Sequence, residues 1–115
     1  MSGKINGACL CGEIKFEIND RFDQLYLCHC KQCQKISGSD YASNLFGEVG
    51  SLNWLSGENL IERFDYLERE FTNAFCKMCG SGVPYLNLNG TAIVVRAGSL
   101  DGKPIIKTIS RIFYA

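Results

Sequence analysis

The sequence predicts an all-β domain, and three observations carry that expectation. The run Glu13-Ile14-Lys15-Phe16-Glu17-Ile18 alternates charged and apolar side chains, the two-residue period of a strand with one buried and one wet face. Gly, Asn, Asp and Ser punctuate the chain at short intervals, as at Ser56-Gly57, Asn89-Gly90 and Asp101-Gly102, where a residue tolerating positive φ suits a turn. No stretch keeps apolar residues at helical spacing for several turns.

After the strand at 13–18, strand signals recur at 24–28, 41–46, 60–67, 70–76, 83–88, 91–96 and 105–114, so about eight strands are predicted. The segment 30–36 reads as a short helical turn, and 87–91 as the tip of a hairpin. No fixed-period repeat and no low-complexity linker interrupts the pattern, so residues 1–115 are expected to form one domain. Phe16, Phe46, Trp54, Phe64, Phe71, Phe75 and Tyr85 supply the bulk that a small β core needs, with one or two free to line a groove.

Composition narrows the function. An apolar share of 46% beside a charged share of 21% is that of a globular chain. Twelve Lys and Arg balance twelve Asp and Glu, which denies the chain the positive field that phosphate-backbone binding requires, so nucleic acid is not an expected partner. The longest apolar runs, such as 91–95, are far shorter than the roughly 20 residues of a membrane span, and the first residues show no signal-peptide run. A membrane is therefore not expected as a partner, and the expected location is cytoplasmic.

In that reducing compartment, seven cysteines point to metal rather than to disulfides. They fall into three groups: Cys9-Leu10-Cys11, Cys28-His29-Cys30 with Cys33, and Cys76-Lys77-Met78-Cys79. Cys76 to Gly80 has the form of a knuckle in which two sulfurs converge. Cys9 and Cys11 on extended chain put both thiols on one side and Leu10 on the other. Joining these pairs gives a closed four-thiolate zinc site. Cys28, Cys30 and Cys33 then form a second zinc site with an open position, the arrangement that separates catalytic from structural zinc. An alternative pairing joins Cys9 and Cys11 to Cys28 and Cys30, leaving Cys33 with Cys76 and Cys79.

Gly7-Ala8-Cys9-Leu10-Cys11-Gly12, Cys28-His29-Cys30 with Cys33, Ser37-Gly38-Ser39, Phe75-Cys76 through Cys79-Gly80-Ser81, and Ala97-Gly98-Ser99-Leu100-Asp101 resemble the motifs of the glutathione-dependent formaldehyde-activating enzyme family, in the family's order. The resemblance implies a zinc-stabilised β-tent fold of mainly antiparallel sheets. It implies two zinc ions, with Cys9, Cys11, Cys76 and Cys79 as structural ligands and Cys28, Cys30 and Cys33 at the second site. It also implies carbon–sulfur lyase activity, forming S-hydroxymethylglutathione from glutathione and formaldehyde, in a family that includes the catalytic-like domain of centromere protein V. Members usually continue into a further strand and a tryptophan-bearing tail, so the chain ending at Ala115 reads as a truncated or minimal version; a histidine common near the last strand is missing from 108–111.

The chemistry agrees. Three thiolates bring a divalent zinc to a net charge of about −1, a poor activator of water but a fitting acceptor for a further soft ligand such as glutathione or another small thiol. The carboxylates of glutathione call for cations, for which Lys31 and Lys35 are the candidates, with Arg63, Arg69 and Arg96 behind them; ordinary solvated charge is the competing reading for all five. His29 alternates with its cysteine neighbours and should point away from the metal. Ser99 and Asp101 read first as turn residues. Two other function classes fit the sequence: a non-catalytic zinc-stabilised binding module, and a thiol-based redox or metal sensor.

Overall fold

A computed structural model describes residues 3–69 and 71–112 of the chain. Ten strands appear among them: β1 (Lys4–Ala8), β2 (Lys15–Asn19), β3 (Phe22–Cys28), β4 (Ala42–Gly47), β5 (Leu52–Ser56), β6 (Ile61–Tyr66), β7 (Phe71–Cys76), β8 (Tyr85–Leu86), β9 (Ile93–Arg96) and β10 (Ile106–Ile112). One α-helix, α1 (Lys31–Ser37), follows β3, close to the predicted helical turn. Mostly β is therefore correct, and no helix among the described residues is long and apolar enough to cross a membrane.

Three sheets result, in the orders β1-β2-β5, β10-β3-β4-β9-β8 and β6-β7. All the pairings are antiparallel except that of β10 with β3, which runs parallel from Ile106 beside Phe22 to Ile112 beside Cys28. The hairpin expected at 87–91 joins β8 to β9: the Asn87 and Ala92 backbones bond at 3.0 Å, and Gly90 takes the left-handed φ of +72° that the turn requires.

Two strands escaped the sequence pattern. In β1 (KINGA) only Ile5 and Gly7 point inward, and glycine gives no apolar signal. It is nonetheless required there, since a Cβ on Gly7 would collide with the Phe16 ring and the Ser99 carbonyl oxygen. In β5 the Trp54 ring packs edge-on against Phe16, with centroids 5.8 Å apart, on a strand otherwise largely exposed. The expected strand at 83–88 shrinks to two residues. At 105–114 the strand is described to Ile112, and the expectation beyond it lies outside the described residues, as does Glu70 at the start of 70–76.

Alternation places two kinds of residue on the two faces of the five-stranded sheet. Leu45, Ile93 and Val95 pack on Ile5, Phe16, Ile18 and Phe22, making the main core against the three-stranded sheet. On the opposite face, cross-strand register aligns Tyr26 with Asn44, Cys28 with Ala42, Asn44 with Arg96, Phe46 with Val94, and Val94 with Tyr85. That second face is where the chemistry-bearing side chains gather. A smaller core of Ile14, Ala74, Val83, Tyr85 and Val94 around Cys9 and Cys76 ties the β6-β7 hairpin to the rest.

Candidate metal centres and the adjoining cavity

The cysteines collect into two clusters. Cys9, Cys11, Cys76 and Cys79 form one and Cys28, Cys30 and Cys33 the other, with the sulfurs of each within 4.8 Å of one another. This is the grouping that joins the first pair to the last, and the alternative pairing is not what the fold brings together. Zinc–thiolate bonds of about 2.3 Å in tetrahedral geometry place sulfurs about 3.8 Å apart. The observed 3.5 Å for Cys9 to Cys11 and 3.9 Å for Cys11 to Cys76 match that spacing and far exceed a disulfide bond. Both clusters could therefore hold a metal ion.

The four-cysteine cluster is assembled from two tight turns. After β1, the Cys9 carbonyl accepts from the Gly12 N–H at 3.0 Å, while the Ile14 N–H donates to the Cys9 sulfur at 3.3 Å. After β7, the Gly80 N–H donates to the Cys76 carbonyl at 2.7 Å, with Gly80 at φ +79°, and the Met78 N–H donates to the Cys76 sulfur at 3.4 Å. Ser81 links the turns, its hydroxyl accepting from the Leu10 N–H at 2.9 Å and lying 3.3 Å from the Cys79 sulfur. N–H groups aimed at sulfur favour thiolates, the form a metal needs.

In the second cluster, Cys28 closes β3 and Cys30 caps α1. The Cys30 sulfur accepts from the Cys33 N–H at 3.4 Å and lies 3.5 Å from the Cys28 sulfur, while the first helical turn swings Cys33 back beside them. Cys28 and Cys33 are buried with Ala42, and Ile112 of β10 packs against the group.

Without metal, protons are shared unevenly. The Ser81 hydroxyl and N–H hold Cys79 down to about 5. Cys11 is pushed up to about 12, the Glu13 N–H that favours its thiolate being outweighed by the neighbouring Cys9 thiol and partial desolvation. At the other centre, burial and the adjacent Cys28 and Cys30 raise Cys33. Burial also opposes ionisation of Cys30, yet the Cys33 N–H and its thiol neighbours lower it. Metal binding at either cluster would expel protons.

All three cysteines of the second cluster line a cavity of ≈ 410 Å³. Its floor is the sheet face already described, with Tyr26, Asn44, Phe46, Tyr85 and Val94; Arg69, Phe71 and Thr72 of the hairpin region and Asn87-Leu88 complete it. Lys31 and Lys35 are exposed on α1 and do not line this cavity; its cation is Arg69, which donates to Gln32 at 3.2 Å. Sequence reasoning placed Arg69 behind the lysines because only the fold brings residues 32 and 69 together. His29 is outside both clusters, its ring 3.0 Å from an Arg111 nitrogen and 5.0 Å from the Tyr41 ring. Ser99 donates to the Arg96 carbonyl at 2.7 Å within a 3-10 turn, and the Asp101 N–H bonds to the Asn6 carbonyl, the turn roles expected of that segment. Arg63 pairs with Asp65 at 2.9 Å.

Sequence reasoning missed Asn44, Asn73 and the placement of Arg96. Arg96 donates to Asn44 Oδ1 at 2.5 Å and to Asn73 Oδ1 at 2.7 Å, and its guanidinium lies 5.6 Å from the Tyr85 ring centroid. Isolated carboxamides have no motif, and only the register of β4 with β9 joins them to Arg96.

No curated protein matches the chain in sequence. Among solved structures, the crystal structure of a Rhodobacter sphaeroides protein is similar with a TM-score of 0.72 at 16% identity, over 93% of this chain and 99% of that one, a likeness of fold. The family model described as glutathione-dependent formaldehyde-activating enzyme matches residues 4–115, which takes in both cysteine clusters and the sheet face between them. On that match, the chain belongs to the glutathione-dependent formaldehyde-activating enzyme family.

Proposed function

We propose that this protein is a zinc-dependent carbon–sulfur lyase of the kind that forms and cleaves S-hydroxymethylglutathione, binding two zinc ions in a β-tent domain and working in the cytoplasm. Cys9, Cys11, Cys76 and Cys79 hold the structural ion; Cys28, Cys30 and Cys33 hold the reactive one. The observation that carries this reading is the ≈ 410 Å³ cavity lined by all three cysteines of the second cluster. An enclosed second cluster would favour a binding module; a cavity large enough for a small thiol favours chemistry.

Zinc bound at the second cluster supplies an open, soft position at which a thiol is held as thiolate at neutral pH. Every other contribution belongs to the chain. Tyr26, Phe46, Phe71 and Tyr85 present ring surface that limits water around the reacting carbon. Arg69 offers positive charge to a glutathione carboxylate, and Gln32 holds that guanidinium in place. Asn44 is the best-defined donor. A guanidinium has no acceptor, so the Asn44 oxygen must face Arg96, and its N–H₂ is left for the cavity. As sulfur attacks formaldehyde, the S–C bond forms, the C=O π bond breaks and negative charge gathers on oxygen, where those N–H donors steady it. The proton given up by the thiol ends on that oxygen, leaving a hemithioacetal.

Exchange NMR of glutathione with formaldehyde tests this directly, because the adduct also forms without a catalyst. Exchange faster than the blank, abolished in Cys33→Ala, is the expected result. Exchange no faster than the blank with zinc-loaded protein would sink the assigned reaction.

A further inference from the structure

Arg96 does not line the cavity of the three-cysteine centre; it lines another, of ≈ 420 Å³, together with Ser37, Ser43, Asn73, Ser81 and Gly82 among others and with none of the cysteines. We infer that this cavity is a second ligand site, built to take the carboxylate of a small molecule.

The charge balance at Arg96 carries the inference. Both of its hydrogen-bond partners are neutral carboxamide oxygens, and the only ion pair among the described residues is Arg63 with Asp65. The guanidinium is half-buried, so water screens it only in part. Two of its five N–H groups are committed to Asn44 and Asn73, which leaves donors for an incoming oxyanion. A planar fork matches a carboxylate, which it can bind through two parallel hydrogen bonds. Asn44 and Asn73 hold that fork still, and the Tyr85 ring supports it.

The surroundings are built around this side chain. A Cβ on Gly82 would lie 2.9 Å from the Arg96 Cγ, so glycine at this position lets the arginine lie along the loop. Ser43 adds a hydroxyl to the wall, while those of Ser37 and Ser81 are engaged by the Cys33 carbonyl and by Leu10 and Cys79. Ser81, Gly82, Arg96 and Gly98 also line an adjoining groove of ≈ 590 Å³, whose other walls include Cys9 of the first cluster and Asp101. That carboxylate repels a multiply charged anion and so favours a monocarboxylate over phosphate. The site does not depend on the thiol chemistry proposed for the other cavity.

The test is an NMR titration of ¹⁵N-labelled, zinc-loaded protein with acetate, and separately with phosphate and chloride at matched ionic strength. Saturable shifts at the Arg96 Nε–H and the Ser81 and Gly82 amides are expected with acetate, with affinity lower by about tenfold or more in Arg96→Gln and partly restored in Arg96→Lys. Gly82→Ala keeps the charge but displaces the side chain, and weakened acetate binding there supports the site even if the Arg96 variants fail to fold. Shifts that do not saturate, that chloride reproduces, that phosphate produces more strongly, or that cluster at residues 28–33 would overturn it.

Discussion

The two cysteine clusters use the same ligand chemistry and differ in what they join and what they face. The first links turns 65 residues apart and rests on a core of Ile14, Ala74 and Val83. The second draws its cysteines from one short segment, the end of β3 and the first turn of α1. Exposure alone would mislead: Cys11 of the four-ligand cluster is exposed, while Cys28 and Cys33 of the three-ligand cluster are each 5% exposed. In the proposed function an available coordination position would come from ligand count and a neighbouring cavity, not from ligands open to solvent.

The largest expected effect separates the clusters by stability. Structural zinc contributes about 10–16 kcal/mol of apparent binding energy, comparable with the whole stability of a small domain, about 5–15 kcal/mol. Cys76→Ser should therefore abolish the cooperative thermal transition seen by circular dichroism. Cys33→Ser should lose one zinc per chain and keep the fold. Loss of the fold in both variants would break the distinction.

Next in size is Asn44→Asp, which retains the contact with Arg96 but removes the N–H donors. A fall of about 10²-fold in kcat is expected, with KM little changed, as for loss of one oxyanion donor. An unchanged kcat would remove Asn44 from the chemistry.

Acidification should discriminate the clusters more gently. Protons compete with metal for sulfur, and a raised thiol pKa holds the proton more tightly. Each cluster holds one raised thiol, Cys33 through burial and Cys11, at about 12, despite the Glu13 N–H; the four-cysteine cluster has in addition a fourth sulfur and Cys79, held down to about 5 by Ser81. As pH falls, zinc should leave the three-cysteine centre first, giving two steps in a chromogenic zinc-release assay, with only the upper step missing in Cys33→Ser.

The smallest effect concerns the hairpin that carries Cys76. The Thr72 hydroxyl, followed by Arg63, lowers the pKa of Asp65. A depressed carboxyl contributes stability above its unfolded value of about 3.9 and loses it as pH falls through the folded value. Thr72→Val should return the Asp65 titration, followed by carboxyl carbon shifts, toward the ordinary range and slightly flatten the acid limb of stability against pH.

The sequence made the three cysteine groups readable because their spacing is local, Cys76 to Cys79 and Cys9 to Cys11 lying within a turn and Cys33 one helical swing after Cys30, while residue spacing alone left two pairings of the groups open until the fold joined turns 65 residues apart. Strands β2, β3 and β4 were legible for the same reason, through side-chain alternation. Strand β1 was not, because glycine contributes to packing by being absent from the space Phe16 fills. The Asn44–Arg96–Asn73 network was hidden because it spans separations of 52 and 23 residues, set only by strand register. Lys31 and Lys35 drew notice by sequence proximity to the cysteines, while the cation on the cavity came from β-hairpin geometry at Arg69.

The parallel pairing of β3 with β10 has a consequence for the order of folding. Strand β3 meets β10 only after the intervening chain has been made, with Cys28 beside Ile112 and the Gln24 and Ser110 side chains bonded across 86 residues. Contacts of such separation form late, because loop closure must be achieved before they contribute. The segment bearing Cys28, Cys30 and Cys33 is synthesised well before the strand whose Ile112 packs against it. Until then these thiols lack one of the side chains that cover them, so the completed cluster depends on chain made long after its cysteines.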